Sequence, residues 1–334
     1  MSEIETSHIT HNKNLPSKFQ RWFSTRGWQI YEHQLSMISE FKKGNSCLLI
    51  APTGSGKTLS GFLPSLIELC ELPFENKLKP KLHTLYISPL KALSVDVQRN
   101  LQIPITEMDL PILCETRTSD TSPKKRNRQK VKPPNILLTT PESLELMLSW
   151  PEAKNYFFNL SAIIIDEIHS VIGNKRGDLL SLSITTLRNY APNASFIGLS
   201  ATVADSGQLA KWLVPEPNKV TILKPKITKK IDIKIYYPTS SEIPFAGHSA
   251  DYAVADIYQM ISAHKISLIF VNTRAQAELL FQSLWKENSN DLHIGLHHGS
   301  LDASQRRKVE KAMAESKLDA VVATSSLDLG IDWS

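Results

Sequence analysis

The chain is poor in cysteine: Cys47, Cys70 and Cys114 are the only three in 334 residues. An odd, scattered set without metal-type spacing excludes a disulfide frame and reads as buried thiols in a reducing compartment. No apolar run approaches the roughly 18 residues that a membrane span needs. The start, Met1-Ser-Glu-Ile-Glu-Thr-Ser-His8, has no apolar core of the kind a secretory signal carries. These absences predict a cytoplasmic protein with no membrane partner. Charge of neither sign dominates: 38 Lys and Arg against 33 Asp and Glu leave a net +5. Such an excess permits a polyanionic partner without demonstrating one. The 41% hydrophobic content fits a globular protein, and the length suits two domains that each bury a core.

Residues up to about Pro16 read as a disordered tail. Short β-rich runs then alternate with helical patterns. Strands are expected at Cys47–Ile50, Thr84–Ser88, Ile136–Thr139, Ala162–Ile165 and Phe196–Leu199. Helices are expected at Lys91–Leu101, Glu142–Ser149 and Leu179–Arg188. Alternation of this kind predicts a doubly wound α/β domain around a parallel sheet. Pro64 lies in the helical stretch that follows Thr58, and its missing N–H predicts a kink or an early end there. From about Leu223 to His248 the pattern breaks into a Lys- and Pro-containing connector, extended and partly strand-forming. A second alternating unit follows, with strands at Ser267–Val271, Leu292–His297 and Ala320–Ala323 and helices at Tyr252–His264, Ala275–Glu287 and Ser304–Ser316. The domain boundaries expected are thus 1–16 for the tail, 17–222 for the first domain, 223–248 for the connector and 249–334 for the second. Three strands make a narrow parallel sheet, so the second domain is expected to be incomplete.

The densest chemical signal is Ala51-Pro-Thr-Gly-Ser-Gly-Lys-Thr58, which follows the apolar run Cys47-Leu-Leu-Ile50. A buried strand, a Gly-rich turn and a helix start form a phosphate cradle. Backbone N–H groups along Thr53, Gly54, Ser55, Gly56 and Lys57 point at the anion, aided by the helix dipole. Lys57 is placed to reach the outer phosphates of ATP and the Thr58 hydroxyl to ligate Mg²⁺. Ala51 stands where the pattern usually has a glycine. Ala162-Ile-Ile-Ile-Asp-Glu-Ile-His169 sets two carboxylates at the end of a buried strand, the edge where open parallel sheets collect ligands. Adjacent buried acids need a cation. Asp166 is expected to hold Mg²⁺ and Glu167 to orient and deprotonate the attacking water. Ser200 and Thr202, after another apolar run, are placed to sense the γ-phosphate. Gln34 either reads adenine with Trp28 or Tyr31 stacked nearby, or is a surface residue of an amphipathic helix. Lys124-Lys-Arg-Asn-Arg-Gln-Lys-Val-Lys132 holds six cations and no acid. It reads equally as a nucleic-acid contact or as a solvated basic loop.

The two halves are weakly alike: Leu48-Leu-Ile-Ala-Pro-Thr53 answers to Leu268-Ile-Phe-Val-Asn-Thr273, with Arg274 where the first half has its Gly-rich turn. A second domain without its own Lys–Mg²⁺ pair makes sense if it closes over the first domain's nucleotide.

Taken together, these strings resemble the superfamily 2 helicases. The likeness is closest to the large-helicase-related group and, within it, the ligase-associated DNA damage response DEXH box helicases. It is carried by Tyr86-Ile-Ser-Pro-Leu-Lys-Ala-Leu-Ser94, Arg117-Thr-Ser-Asp-Thr121, Thr139-Thr-Pro-Glu-Ser143, Asp166-Glu-Ile-His169 and Lys175-Arg-Gly177. In the second half it is carried by Phe270-Val-Asn-Thr-Arg274, His297-His-Gly-Ser300 and Ala323-Thr-Ser-Ser-Leu-Asp-Leu-Gly-Ile-Asp-Trp333. Ala246-Gly-His-Ser249 supports the narrower branch. The resemblance implies two RecA-like domains and an ATP-driven translocase moving 3′ to 5′ on single-stranded DNA. It also implies the capacity to unwind DNA or RNA–DNA duplexes, in repair beside an ATP-dependent ligase and a nuclease. It implies adenine reading by Gln34 and coupling of hydrolysis to movement through His169, Ser200 and Thr202. Strand contacts are implied for Pro89, Lys91, Thr140, Thr273, Arg274, His298 and Thr324, and approach to the nucleotide from the second domain for Gly330 and Asp332. Ser119 stands where the family usually has a glycine. The family's last motif, with its arginine finger, is expected beyond Ser334, so this chain alone is expected to bind ATP and hydrolyse it poorly. An RNA helicase, a phosphate-loop kinase or GTPase, and a non-catalytic strand-binding module are the competing classes.

Overall fold

Runs such as Ser46–Ile50 and Ala162–Ile165 are too short for a stable helix and apolar at every position or nearly so, the pattern of strands covered on both faces. In the computed structural model they are interior strands of one parallel sheet. The structure describes residues 15–52, 54–72, 81–89, 91–201, 203, 205–216, 220–225, 232–237 and 250–324. The chain divides into two units, Met1–Lys226 and Ile227–Ser334.

In the first unit the helices α1 (Ser17–Thr25) and α2 (Glu32–Lys42) precede β1 (Ser46–Ile50) and α3 (Lys57–Glu71). Next come β2 (Thr84–Ile87), α4 (Lys91–Glu107), β3 (Cys114–Arg117), α5 (Pro123–Val131) and β4 (Ile136–Thr139). Then follow α6 (Pro141–Leu148), α7 (Ala153–Phe157), β5 (Ala162–Ile165), α8 (Ile168–Val171) and α9 (Lys175–Tyr190). The unit closes with β6 (Ser195–Ser200), α10 (Ser206–Leu213) and β7 (Val220–Leu223). The seven strands run parallel in the order β3-β4-β2-β5-β6-β1-β7. Side chains alternate between faces. Cys47, Leu49, Tyr86, Leu138, Ile164 and Ile197 pack with α1 to α4, whereas Leu48, Ile50, Leu85, Leu137, Ile163 and Ile165 pack with α6 to α10.

All five strands expected in this unit are present, and the sheet has two more. β3, Cys-Glu-Thr-Arg, and β7, Val-Thr-Ile-Leu, are its edges, each with only its first residue buried. Half-exposed edge strands lack the continuous apolar run that marks a central one. Pro64 neither ends α3 early nor stops it: the helix continues to Glu71. Phe62, Leu63, Leu66 and Ile67 are buried around the proline, and that burial outweighs the one lost backbone bond. For the same reason α4 runs past the expected Leu101 and through Pro104, because Ile105 belongs to the core. Cys47 and Cys114 are buried, with thiols pushed up to about 12 by burial, while Cys70 is only partly buried. Leu15 is buried in the core at the foot of α1.

The second unit contains α11 (Val254–Ala263), β8 (Ser267–Phe270), α12 (Arg274–Glu287), β9 (Ile294–His297), α13 (Ala303–Ala314) and β10 (Ala320–Ala323). Its three strands are parallel in the order β8-β10-β9. α11 and α12 bury Ala320 and Val322 on one face, and Met313 of α13 packs on Val321 and Ala323 on the other. Leu268 and Phe270 on the edge strand β8 remain nearly half exposed. No helix among the described residues is long and apolar enough to cross a membrane.

Candidate nucleotide site

The turn between β1 and α3 reaches the C-terminal edge of the sheet. Gly54 and Gly56 take φ values of 76° and 72°, in the left-handed region that favours glycine. A Cβ on Gly56 would lie 2.9 Å from Gln34 Nε2, so the glycine also permits close packing of α2 on the turn. The turn is pinned by three bonds. The Ser55 hydroxyl donates to Pro52 O at 2.6 Å, His33 Nε2 donates to Ser55 O at 3.1 Å and the Ser60 hydroxyl donates to Gly56 O at 2.7 Å. No side chain caps α3 at Gly56. Its first N–H groups therefore face the turn with their partial positive charge uncompensated by a cap.

Lys57 opens that helix and is buried, and its Nζ has no hydrogen-bond partner among the described residues. Its charge is felt at Asp166 and at His169, whose pKa values it lowers. The glycine turn and the acidic pair therefore share one electrostatic locality. Asp166 follows β5 and its N–H donates to Ile87 O on β2 at 2.9 Å. Its Oδ2 accepts from the Tyr86 hydroxyl at 2.6 Å and its Oδ1 from the Glu167 N–H at 2.8 Å. Burial, and then the neighbouring Glu167, push the Asp166 carboxyl up to about 6, against the pull of Tyr86, the Glu167 N–H and Lys57.

Glu167 sits at φ 47°, a strained position for a residue with a Cβ. This turn aims its carboxylate at His169, Oε2 to Nε2 at 3.4 Å. His169 Nδ1 accepts from the Ala201 N–H at 3.3 Å, and the Ser200 hydroxyl lies 3.2 Å from the same nitrogen. An N–H aimed at Nδ1 fixes the tautomer, leaving the proton on Nε2, toward Glu167. Burial first, and Lys57 next, lower the His169 pKa, so the ring is neutral at pH 7. A continuous line thus runs from the Glu167 carboxylate through the ring to the end of β6.

The opposing needs of these groups fit a metal–triphosphate. The uncapped helix and the orphaned Lys57 ammonium need an anion, and the buried Asp166 and Glu167 need a cation. Asp166 would hold Mg²⁺, with Thr58 in the first turn of α3 beside the same turn. Thr53 and Thr202 lie outside the described residues, as do Gly330 and Asp332. Gln34 is buried, not on the surface. Its Oε1 accepts the Tyr31 N–H at 3.0 Å, while Nε2 faces Gly56. Tyr31 stacks on His33, whereas Trp28 is engaged edge-on by Trp22.

The residues expected to touch a strand divide between the units. In the first, Pro89 O accepts from Arg176 Nη2 at 2.7 Å, and Lys91 begins α4. Thr140 is buried with its hydroxyl spent on capping α6. Ser119 is not among the described residues with positive φ, so this loop makes no demand for a glycine there. In the second unit Thr273 caps α12, and Arg274 donates to the Ser300 hydroxyl at 2.5 Å. His298 is buried against Glu278 and the Thr324 N–H donates to His297 O. All four stand at the C-terminal ends of β8, β9 and β10. Tyr86, His33 and Arg176 escaped the sequence reading. The first reads as core in a strand, the second as one more polar helix residue, and the third belonged to a recognised string without a role.

Comparison with known proteins agrees with this geometry. The DEAD/DEAH box helicase family matches residues 31–209, and the helicase conserved C-terminal domain matches residues 252–334. The chain belongs to the DEAD/DEAH box helicases. Within them it is similar to the ATP-dependent helicase Lhr-Core of Methanothermobacter thermautotrophicus, at 36% identity over 93% of this chain and 38% of the relative. The Lhr helicase/uracil glycosylase of Escherichia coli is 35% identical over 87% of this chain and 23% of its own length. The chain thus spans about two fifths or less of these helicases. Among solved structures, Mycobacterium smegmatis helicase Lhr bound to ssDNA and AMP-PNP superposes with a TM-score of 0.78 at 35% identity, covering 96% of this chain and 43% of that one. The DUF1998 helicase MrfA bound to DNA gives 0.77 at 26% identity, covering 97% and 46%. The first domain expected from the sequence, a doubly wound parallel sheet of RecA-like build, and the smaller second sheet are those of this helicase fold.

Proposed function

We propose that the chain is the motor core of an ATP-driven helicase that translocates on single-stranded DNA. The observation that carries the proposal is the buried Lys57 ammonium, without a hydrogen-bond partner among the described residues, beside the buried Asp166–Glu167 pair. In this reading the α3 N-terminus and Lys57 bind the phosphates of ATP. Mg²⁺, when bound, would neutralise phosphate charge, and Asp166 and Thr58 are the residues that would hold it. The Asp166 rotamer is fixed by Tyr86 and the Glu167 N–H. Glu167 accepts the proton of the attacking water, and neutral His169 carries a change at that carboxylate to Ser200 and Ala201 at the end of β6. Gln34, pressed on Gly56, reads the adenine edge with its side-chain amide.

DNA is favoured as the track by the two similar structures named above, which hold ssDNA and DNA. The finer assignments belong to the same proposal. They are 3′-to-5′ movement, a repair role beside a ligase and a nuclease in the ligase-associated branch, cytoplasmic residence, weak hydrolysis by this chain alone and the domain limits given above. The strand contacts of Pro89, Lys91, Thr140, Thr273, Arg274, His298 and Thr324, and the nucleotide contacts of Gly330 and Asp332, belong to it too.

The test is E167Q in the full-length protein. Nucleotide affinity should hold within about threefold while DNA-stimulated turnover falls by about 10²–10⁴, the range for loss of a general base. Undiminished turnover would remove Glu167 from the chemistry. Stimulation by RNA and none by single-stranded DNA would reassign the track.

A further inference from the structure

The basic run Lys124–Lys132 is not a loop but the helix α5, capped by Ser122 with Pro123 in its first turn. Its six cations divide by face. Arg126 turns inward and donates to Thr121 O at 2.6 Å and Ser119 O at 2.7 Å, and Lys130 pairs with Glu152 at 3.1 Å. Gln129 between them is buried, bonded to Glu115 and Thr116. Lys124 and Arg128, four residues and about 6 Å apart along the axis, lie on the opposite, exposed face, and the exposed Lys132 follows at the C-cap. Of these, Arg128 is held by Glu115. Lys124 and Lys132, with Lys125 at their flank, have no acidic partner among the described residues.

The place of the helix matters as much as its charge. α5 leaves the C-terminal end of β3, the sheet's edge strand. Pro89 after β2, Thr140 after β4 and Arg117–Thr121 after β3 lie on that same edge, in spatial order toward α5. Between β3 and β1, where the glycine turn begins, lie β4, β2, β5 and β6. At about 4.8 Å per strand this puts α5 some 24 Å to the side of the nucleotide site.

We infer that the outward face of α5 is an additional phosphate-binding surface, which extends the strand track of the first unit by two or three nucleotides past β3. The inference rests on the proposed DNA-tracking function. Unpaired cations along one helix, with no aromatic among them, contact the sugar-phosphate chain and read no base. Each phosphate so neutralised releases counterions, which steepens the salt slope, the fall of log K with log salt, by about 0.7 for a single strand.

The experiment is binding of fluorescent oligo-dT of graded length by the full chain and by its K124Q/K125Q/K132Q variant. Salt is titrated, and ADP affinity and helix content serve as controls. In the parent, affinity should keep rising over two or three nucleotides that bring the variant no gain. The variant's salt slope should fall by about 1.5–2, with ADP affinity and helix content unchanged. Equal length dependence and equal salt slope in the two proteins would overturn the α5 surface alone. If neither protein bound oligo-dT at any length, the DNA-tracking proposal itself would fail. K124E/K125E/K132E provides a second check, since charge reversal must weaken binding further than neutralisation if phosphates are the ligand.

Discussion

Asp166 is the residue at which function costs stability. Its carboxyl is fully buried, with Glu167 beside it, and the free protein answers by holding a proton up to about pH 6, against an ordinary value of 3.8. Between those values the folded chain keeps a proton that the unfolded chain has shed. Stability therefore falls as pH rises through the window and stays lowest above it, by about 3 kcal/mol. D166N removes the charge, keeps an acceptor for Tyr86 and gives up the bond from the Glu167 N–H, a loss of about 1 kcal/mol. The variant should be more stable than the parent by about 1–2 kcal/mol at pH 8, and the advantage should vanish by pH 4. Urea unfolding of the first unit at the two pH values checks this, and a difference independent of pH would show that Asp166 carries no burial penalty. Such acids were legible in the sequence because two carboxylates ending an apolar run contradict a buried strand end unless a cation serves them. Tyr86 was not legible. An aromatic in an apolar strand reads as core, and the acceptor of its hydroxyl lies 80 residues further on.

At the scale of elements, central strands announced themselves and edges did not. β1, β2, β4, β5 and β6 are apolar runs covered on both faces, and the sequence marked each within a residue or so. β3 carries Glu115, Thr116 and Arg117, which pair with Arg128, Gln129 and Arg126 of α5, so its polarity is satisfied by a helix that the sequence read as a nucleic-acid contact or a solvated loop. Helix boundaries followed capping more than composition. Thr140, Asn174 and Asp205 cap α6, α9 and α10, and the hydrophobic pattern begins after each. One junction is unusually tight. Asn174 Oδ1 accepts from the N–H groups of Arg176 and Gly177, and a Cβ on Gly177 would meet Val171 O at 2.0 Å. A methyl group cannot share that space with a backbone oxygen, so α8 and α9 must separate. G177A should lose about 1–3 kcal/mol, the usual range for overpacking, or more if the junction opens. Because α8 carries His169, the coupling from Glu167 to Ser200 should weaken with it. Denaturant melting of the first unit checks the stability loss, and a variant as stable as the parent would refute the close approach.

At the scale of the whole molecule, each of the two sheets has its own core among the described residues. The residues packed on the seven-stranded sheet and those packed on the three-stranded sheet form separate clusters with no common member. The alternation of strands and helices made this division readable. The sheet order was not, because which parallel strands neighbour one another depends on contacts between residues far apart in sequence. Two cores of different size need not melt together. The phosphate turn, Lys57 and the acidic pair all belong to Met1–Lys226, so a nucleotide that binds them is linked to the unfolding of that unit. At 100 times its Kd, ADP should stabilise that unit by about 2.7 kcal/mol. For a unit of this length the corresponding rise in Tm is about 5–10 °C. Calorimetry of the chain should therefore resolve two transitions, with ADP moving that of the first unit upward. K57A should abolish the shift without merging the transitions. A single transition that moves as a whole would mean that the two units unfold as one, and a shift that survives K57A would place the nucleotide elsewhere.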